Sequence, residues 1–244
     1  MLQPGFLTEK IFYPEMMKFL FLILFLGPLT ISSRSQSINQ LVEAVKAKLD
    51  KVQSYQARAK IKTNVSFLKV PIANVTVYFK GPNQIKILSD KGVSFIPKGA
   101  MSINTGSLLE GSGYTVIDGG KERMDGRDLQ IARILPNDEN SDVVLSTLYI
   151  DPVNLLVRKA RTTTRENGTY ELELSYGRYS NYGLPDKLIF SFNVKDYKLP
   201  KGITFDFDDG NSPKPTAKNT PQKGKAEIIF SSYQINQELP PGIF

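Results

Sequence analysis

The sequence predicts an α+β protein that is mostly β, with one large curved antiparallel sheet of about eleven strands and an N-terminal amphipathic helix. Two observations carry this prediction. Apolar and polar residues alternate strictly in many short runs, so that Val75, Val77 and Phe79 share one face of an extended chain. Turn residues such as Gly81 and Pro82 separate these runs, while helical periodicity is confined to one stretch. This pattern is typical of antiparallel strands with one apolar and one polar face.

The first 35 residues have the composition of a leader that ends in a secretory signal peptide. A positively charged start precedes the apolar run 19–26, and small residues follow up to Ser35. The run is too short to span a bilayer, which takes roughly 20 apolar residues. We expect translation to begin at Met16 or Met17, cleavage after Ser35, and a single domain at 36–244 outside the cytoplasm. Because no Cys follows the signal, we expect no lipid anchor.

The mature chain is predicted to open with an amphipathic helix. Ser37 and Gln40 have the spacing of a capping box, in which each side chain bonds the other residue's backbone N–H. The apolar residues that recur at helical spacing are Ile38, Leu41, Val42, Val45, Leu49 and Val52. Since the opposite face mixes acidic and basic residues, we expect a helix of about four turns that packs on the sheet rather than one that lies on a membrane.

Alternating runs in the rest of the chain predict the strands. They lie at 55–67, 71–80, 84–88, 114–118, 127–135, 143–150, 155–165, 170–176, 188–194, 203–207 and 226–234. Asn167 and Gly168 form the strongest short hairpin signal and predict that the strands on either side of them pair. The strands 114–118 and 127–135 are expected to be joined through Gly119-Gly120 and Asp125-Gly126, and a short helix is predicted near 107–110.

The charge pattern bears on the class of partner. The formal net charge is +7, but Lys and Arg are scattered among Asp and Glu, with no basic block and no basic helix. We therefore expect no nucleic-acid partner, because a nucleic-acid site concentrates its cations. Attraction to an anionic membrane surface is the better use of such a charge.

The composition also excludes most kinds of catalytic site. There is no Cys, His or Trp, which excludes thiol nucleophiles, imidazole bases and the usual zinc ligands. The acidic stretch 206–211 lacks calcium-loop spacing, because Gly210 stands at its fifth position rather than its sixth. Two carboxylates could still hydrolyse a bond without His, but the acidic residues lie mostly on polar faces and in turns. We expect no catalytic residue, no metal site and no enzymatic activity.

The feature of the sequence that indicates a function is the apolar face of the predicted sheet, which could bind a ligand. About eleven strands can curl around a lumen, and one helix is too small to cover so many of them. We therefore predict a ligand cavity walled by Val75, Val77, Phe79, Ile85, Ile87, Val93, Phe95, Tyr170, Leu172, Leu174, Phe190, Phe192 and Phe205. The alternative is that the same face is simply core, packed by the helix.

Several short segments, in this order along the chain, resemble the periplasmic lipoprotein-carrier family, the LolA/LolB-like outer-membrane lipoprotein-sorting proteins. The segments are 49–55 (LDKVQSY), 78–83 (YFKGPN), 89–92 (SDKG), 125–127 (DGR), 148–152 (LYIDP), 179–185, 233–236 (YQIN) and the tail 239–244. They span nearly the whole predicted mature chain.

The resemblance implies an unclosed antiparallel β-barrel with a reduced helical lid over an apolar cavity that takes acyl chains. It implies a monomer with no catalysis and no cofactor, which accepts acylated lipoproteins or another lipid from an inner-membrane transporter and passes them to an outer-membrane receptor. It also implies a gating region at Lys80, Gly81 and Pro82. The best-known carriers have an Arg immediately before this Pro, whereas this chain has Gly81.

A second class of function stays open on the same fold. Some periplasmic regulators of this kind hold an anti-sigma factor, so an envelope sensor that binds lipid or protein and contacts a membrane protein is the alternative to a carrier.

Overall fold

The computed structural model describes residues 37–64, 72–82, 84–90, 113–166, 168–193 and 223–244. Together they form a ten-stranded antiparallel sheet that does not close on itself, with one α-helix and one 3-10 turn. The predicted fold class is confirmed. No helix in this part of the chain combines the length and the apolar character that a membrane span needs.

Helix α1, Ile38–Leu49, begins at the predicted capping box. Ser37 Oγ accepts a hydrogen bond from the Gln40 backbone N–H at 3.3 Å, and Gln40 Oε1 accepts one from the Ser37 N–H at 3.2 Å. The helix has about three turns rather than the predicted four. Val52 suggests a longer helix because it continues the apolar stripe. It is buried, but it lies in the segment that follows α1.

The strands form where alternation was predicted, with ends that differ by a few residues. They are β1 Ser54–Asn64, β2 Ala73–Lys80, β3 Gln84–Ser89, β4 Tyr114–Met124, β5 Arg127–Pro136, β6 Val143–Asp151, β7 Leu156–Thr164, β8 Gly168–Ser175, β9 Lys187–Asn193 and β10 Lys223–Ile235. The 3-10 turn, Ser180–Tyr182, lies between β8 and β9. The predicted strand at 203–207, the residues 93–95 and the predicted helix at 107–110 lie outside the described residues.

The sheet order is β3-β2-β1-β10-β9-β8-β7-β6-β5-β4. Most strands pair with the strand before or after them in the sequence. The exception is β10, the last strand, which lies between β1 and β9. The register aligns Tyr55 with Phe79 on one side and with Ile235 on the other. The pairing of Thr164 with Gly168 joins β7 to β8, as the hairpin signal predicted.

A bulge in β4 overturns one local prediction. Gly119 and Gly120 do not connect two strands but lie inside β4, where the register with β5 shifts between Asp118 and Lys121. Asp118 Oδ1 accepts hydrogen bonds from the Gly120 N–H at 2.7 Å and from Gln130 Nε2 at 2.8 Å. Glycine permits the positive φ of +83° at Gly120 that the bulge requires. The turn to β5 is formed by Asp125 and Gly126, as predicted.

Candidate functional site

The candidate site is the apolar face of the sheet that lies under α1. Val75, Val77 and Phe79 alternate with polar residues along β2, and the other strands repeat the pattern, so one face of the sheet is apolar. Helix α1 packs against β4, β5 and the 3-10 turn. It buries Leu41, Val42 and Val45 completely.

The predicted wall residues come together on this face. Those that are buried are Val75, Val77, Phe79, Tyr170, Leu172, Leu174, Phe190 and Phe192, while Ile85 and Ile87 are partly buried. The pairing places Phe79 beside Ile85, and Tyr170 beside Phe192. Val93, Phe95 and Phe205 lie outside the described residues, so their place in the wall stays a prediction.

Aromatic side chains line the middle of the face. Tyr55 stacks on Phe79 with ring centroids 5.2 Å apart and meets Tyr233 edge-on at 5.3 Å. Phe190 lies 5.3 Å from Phe192 and equally far from Tyr170. Such contacts give broad, smooth apolar surface with defined ring geometry.

The apolar face includes more buried side chains than the sequence predicted. Buried side chains that were not predicted as wall are Tyr55, Ala57, Ala59, Ile61, Ala132, Ile134, Leu148, Ile150, Val157, Ala160, Leu188, Ala226, Ile228, Phe230 and Tyr233. Most of them alternate with polar residues, so the signal was present. The alanines among them are only weakly apolar, so they are hard to recognise as core residues from the sequence. Only the strand pairing shows that all these side chains lie on the same face of the sheet.

In this conformation the apolar face is filled. The cavity beside the end of α1 measures about 20 Å³ and is lined by Leu49, Val52, Tyr55, Phe79, Leu174, Tyr182, Gly183, Leu184, Pro185 and Tyr233. That volume admits about one water molecule. An acyl chain could enter this part of the face only after α1 or the wall side chains move.

Two polar contacts tie α1 to the sheet. The Tyr114 hydroxyl, on edge strand β4, donates a 2.7 Å hydrogen bond to the Glu43 carboxylate. Near the other end of α1, Lys48 Nζ donates a 2.7 Å hydrogen bond to the Asn154 carbonyl between β6 and β7. Burial lowers the pKa of Lys48, and Lys51 adds to the effect. Burial and the bond to Glu43 raise the pKa of Tyr114 to about 12.

The Asn154 turn is held by a buried ion pair. Asp151 is 4% exposed and accepts hydrogen bonds from Asn154 Nδ2 at 2.8 Å and from Arg158 at 3.2 Å. The Arg158 guanidinium also lies 5.2 Å from the centre of the Tyr176 ring. Burial opposes ionisation of Asp151, but the bonds from Asn154 and Arg158 outweigh it and lower the pKa of this carboxyl. The turn is therefore a firm anchor for α1.

The predicted gating residues form the β2–β3 turn, outside the filled face. The Gly81 N–H donates a 2.7 Å hydrogen bond to the Gln53 carbonyl, directly after α1. Lys80 and Pro82 are exposed. Lys80 also lines a second cavity of about 400 Å³, together with Ser54 and the tail residues 237–244. The turn thus lies between the segment after α1 and the tail of the chain.

No group of three potential metal ligands (Asp, Glu, His or Cys) gathers anywhere in the described ranges.

Comparison with solved structures places the fold among known ones. An outer-membrane lipoprotein-sorting protein domain from Vibrio parahaemolyticus superimposes with a TM-score of 0.50 at 10% sequence identity, over 83% of this chain and 93% of that one. A LolA superfamily protein from Nitrosomonas europaea gives a TM-score of 0.50 at 12% identity, over 83% of this chain and 96% of that one.

The fold is LolA-like. No protein-family model and no curated protein sequence matches the chain. At such low identity the likeness to LolA-like structures concerns the fold alone, and it agrees with the resemblance that the sequence segments carried.

Proposed function

We propose that this protein is a non-enzymatic lipid carrier, which shields the acyl chains of lipoproteins or of a related amphiphile on the apolar face of its sheet. The observation that supports the proposal is that the apolar face is much larger than the area that α1 covers. Buried apolar side chains come from β1, β2 and β5 to β10, whereas α1, in the described part of the chain, buries three side chains against them.

The energetics support displacement of α1 by an acyl chain. Three fully buried aliphatic side chains contribute about 5–9 kcal/mol to the attachment of the helix. A chain of about fourteen CH₂ groups gains roughly 11 kcal/mol on burial. The two polar contacts of α1 add about 1 kcal/mol each, because bonds to water offset most of each hydrogen bond. An acyl chain can therefore compete with the helix for the same apolar surface.

The lipoprotein cargo is supported by the fold. One structure with the same fold is described as a lipoprotein-sorting domain, and another belongs to the LolA superfamily. An acyl chain cannot cross an aqueous compartment unshielded, since each exposed CH₂ costs roughly 0.8 kcal/mol. We propose that the protein works in the periplasm, where it takes lipid from an inner-membrane transporter and passes it to an outer-membrane receptor.

Recovery of the protein from its native envelope, followed by mass spectrometry of what is bound, tests this function. A carrier should retain acylated peptide or lipid at close to one molecule per protein. Recovery of an empty protein with one membrane protein attached would contradict the carrier function and favour the sensor.

A further inference from the structure

The face of the sheet opposite α1 carries a strong excess of positive charge on five adjacent strands, β3-β2-β1-β10-β9. We call the outward-pointing cations of these strands the basic face; they are Arg58, Lys60, Lys62, Lys80, Lys86, Lys187 and Lys225. Glu227 is the outward carboxylate among them, and it pairs with Lys187 at 2.5 Å. The other six cations form no ion pair within 4 Å in the described part of the chain, although Lys62 lies opposite Glu227.

The other half of the same outer face shows no such excess. There Lys159 Nζ lies 3.6 Å from the Glu171 carboxylate and Arg161 Nε lies 3.8 Å from it. Glu173 lies opposite Lys159 in the register. The positive charge is therefore concentrated on one half of the sheet, although Lys and Arg are scattered along the sequence.

The cations of β1 form a row along the basic face. Arg58, Lys60 and Lys62 alternate along β1 and are exposed, so their Cα atoms are spaced by about 7 Å. Lys62 lies opposite Glu227 on β10. The pKa of Glu227 is lowered, first by the hydrogen bond from Lys187 and further by the charges of Lys62 and Lys225, as expected on a positively charged surface.

Exposed aliphatic side chains stand among these cations. Ile229 is 46% exposed and lies opposite Lys60, and Leu88, on β3, is 43% exposed. The outward aromatic residue of these strands, Tyr78, is 9% exposed and offers no platform on which a base could stack. Lysines mixed with exposed aliphatic groups match a lipid headgroup layer better than a nucleic acid.

We propose that the basic face docks the protein on the surface of an anionic phospholipid bilayer. Lys and Arg side chains meet lipid phosphates, while Ile229 and Leu88 reach the boundary with the acyl region. The docking surface is on the opposite side of the sheet from the acyl-chain site, so the proposal does not depend on the cargo.

Vesicle co-sedimentation of the full chain tests this docking. Vesicles of phosphatidylglycerol with phosphatidylethanolamine are compared with vesicles of phosphatidylcholine, at low and high NaCl. The test variant is Arg58→Gln/Lys60→Gln/Lys62→Gln. The control variant, Arg133→Gln/Lys159→Gln/Arg161→Gln, removes the same charge from outward positions on β5 and β7. Any binding through the apolar run 19–26 is common to all three proteins and shows on the neutral vesicles.

We expect salt-sensitive binding to the anionic vesicles by the wild type and the control variant. Each removed cation should weaken that binding about fivefold, so the test variant should lose about 100-fold. Equal losses in the two variants would overturn the proposal, as would equal binding to neutral vesicles. Competition by duplex DNA at the affinity of the anionic vesicles would also overturn it in favour of a general polyanion site. Circular dichroism of both variants checks that these exposed substitutions leave the fold intact.

Discussion

The Tyr114 hydroxyl donates a hydrogen bond to the Glu43 carboxylate and thereby joins edge strand β4 to α1. The two residues are separated by 71 positions in the chain. If acyl chains displace α1, this bond must break first, so it opposes ligand entry.

Tyr114→Phe should therefore weaken the attachment of α1 to the sheet and strengthen ligand binding. We expect a loss of about 0.5–1.5 kcal/mol in the free energy of unfolding, measured in urea, and a few-fold gain in affinity for a fluorescent fatty acid. Tyr149→Phe is the control, because Tyr149 lies on the outer face of β6, away from α1. Equal effects of the two variants on affinity would show that the Tyr114 bond does not oppose entry.

Buried tyrosines should make the stability fall at high pH. Burial, together with the bond to Glu43, raises the pKa of Tyr114 to about 12, and burial also raises the pKa of Tyr55 and of Tyr176. An unfolded tyrosine ionises near pH 10, so the unfolded state releases these protons first. Stability is then fully present below about pH 10 and is lost as the pH rises toward about 12. Urea titrations across this range should show the fall, and a flat profile would contradict the burial of these hydroxyls.

The buried Asp151–Arg158 pair should be costly to break. Asp151→Asn leaves Arg158, whose side chain is 16% exposed, without its counter-charge, and we expect a loss of about 2–4 kcal/mol in the free energy of unfolding, less than for a fully buried pair. Asp128→Asn is the matched control, since its pair with Arg123 is about three-quarters exposed and should cost under about 1 kcal/mol. Similar losses in both variants would mean that the Asn154 turn is not the firm anchor described above.

Gly81→Arg should change ligand release more than stability. A Cβ at Gly81 would meet the Gln53 carbonyl at 3.4 Å, an ordinary contact, so the added side chain causes no overlap there. Its guanidinium would place five donors beside the segment that follows α1. We expect slower exchange of a bound fatty acid in stopped-flow measurements, with the free energy of unfolding within about 0.5 kcal/mol of the wild type. Gly81→Ala, which lacks the guanidinium, should leave the exchange rate unchanged.

Much of the fold could be predicted because alternation is a local signal. The faces of β2, β8 and β9 follow directly from their sequences, and the capping box of Ser37 and Gln40 marks the start of α1 at the correct residue. The end of α1 could not be predicted, since Val52 continues the apolar stripe although it lies beyond the helix. The Gly119–Gly120 bulge could not be predicted either, because two glycines are also typical of a turn. One of the hydrogen bonds at the bulge comes from Gln130 on the neighbouring strand β5, which the local sequence does not reveal.

The candidate site was harder to predict than the fold. The sequence identified strong apolar residues such as Phe79 and Phe190, but it does not show that β10 pairs between β1 and β9. That long-range pairing adds Phe230 and Tyr233 to the apolar face and gathers Lys225 with the cations of β1 on the other. The concentration of charge on the basic face is for the same reason a property of the sheet and not of any stretch of sequence.

The central claim, that an acyl chain takes the place of α1 on the apolar face, is tested most directly by the reactivity of a single thiol. The chain contains no Cys, so Val42→Cys on α1 and Ala160→Cys on β7 each give one label, and both positions are 0% exposed. Without ligand, both thiols should react slowly with a maleimide. With saturating fatty acid, the Val42→Cys thiol should become reactive while the Ala160→Cys thiol stays protected beneath the bound chain. A Val42→Cys thiol that stays protected while the fatty acid is bound would contradict the claim.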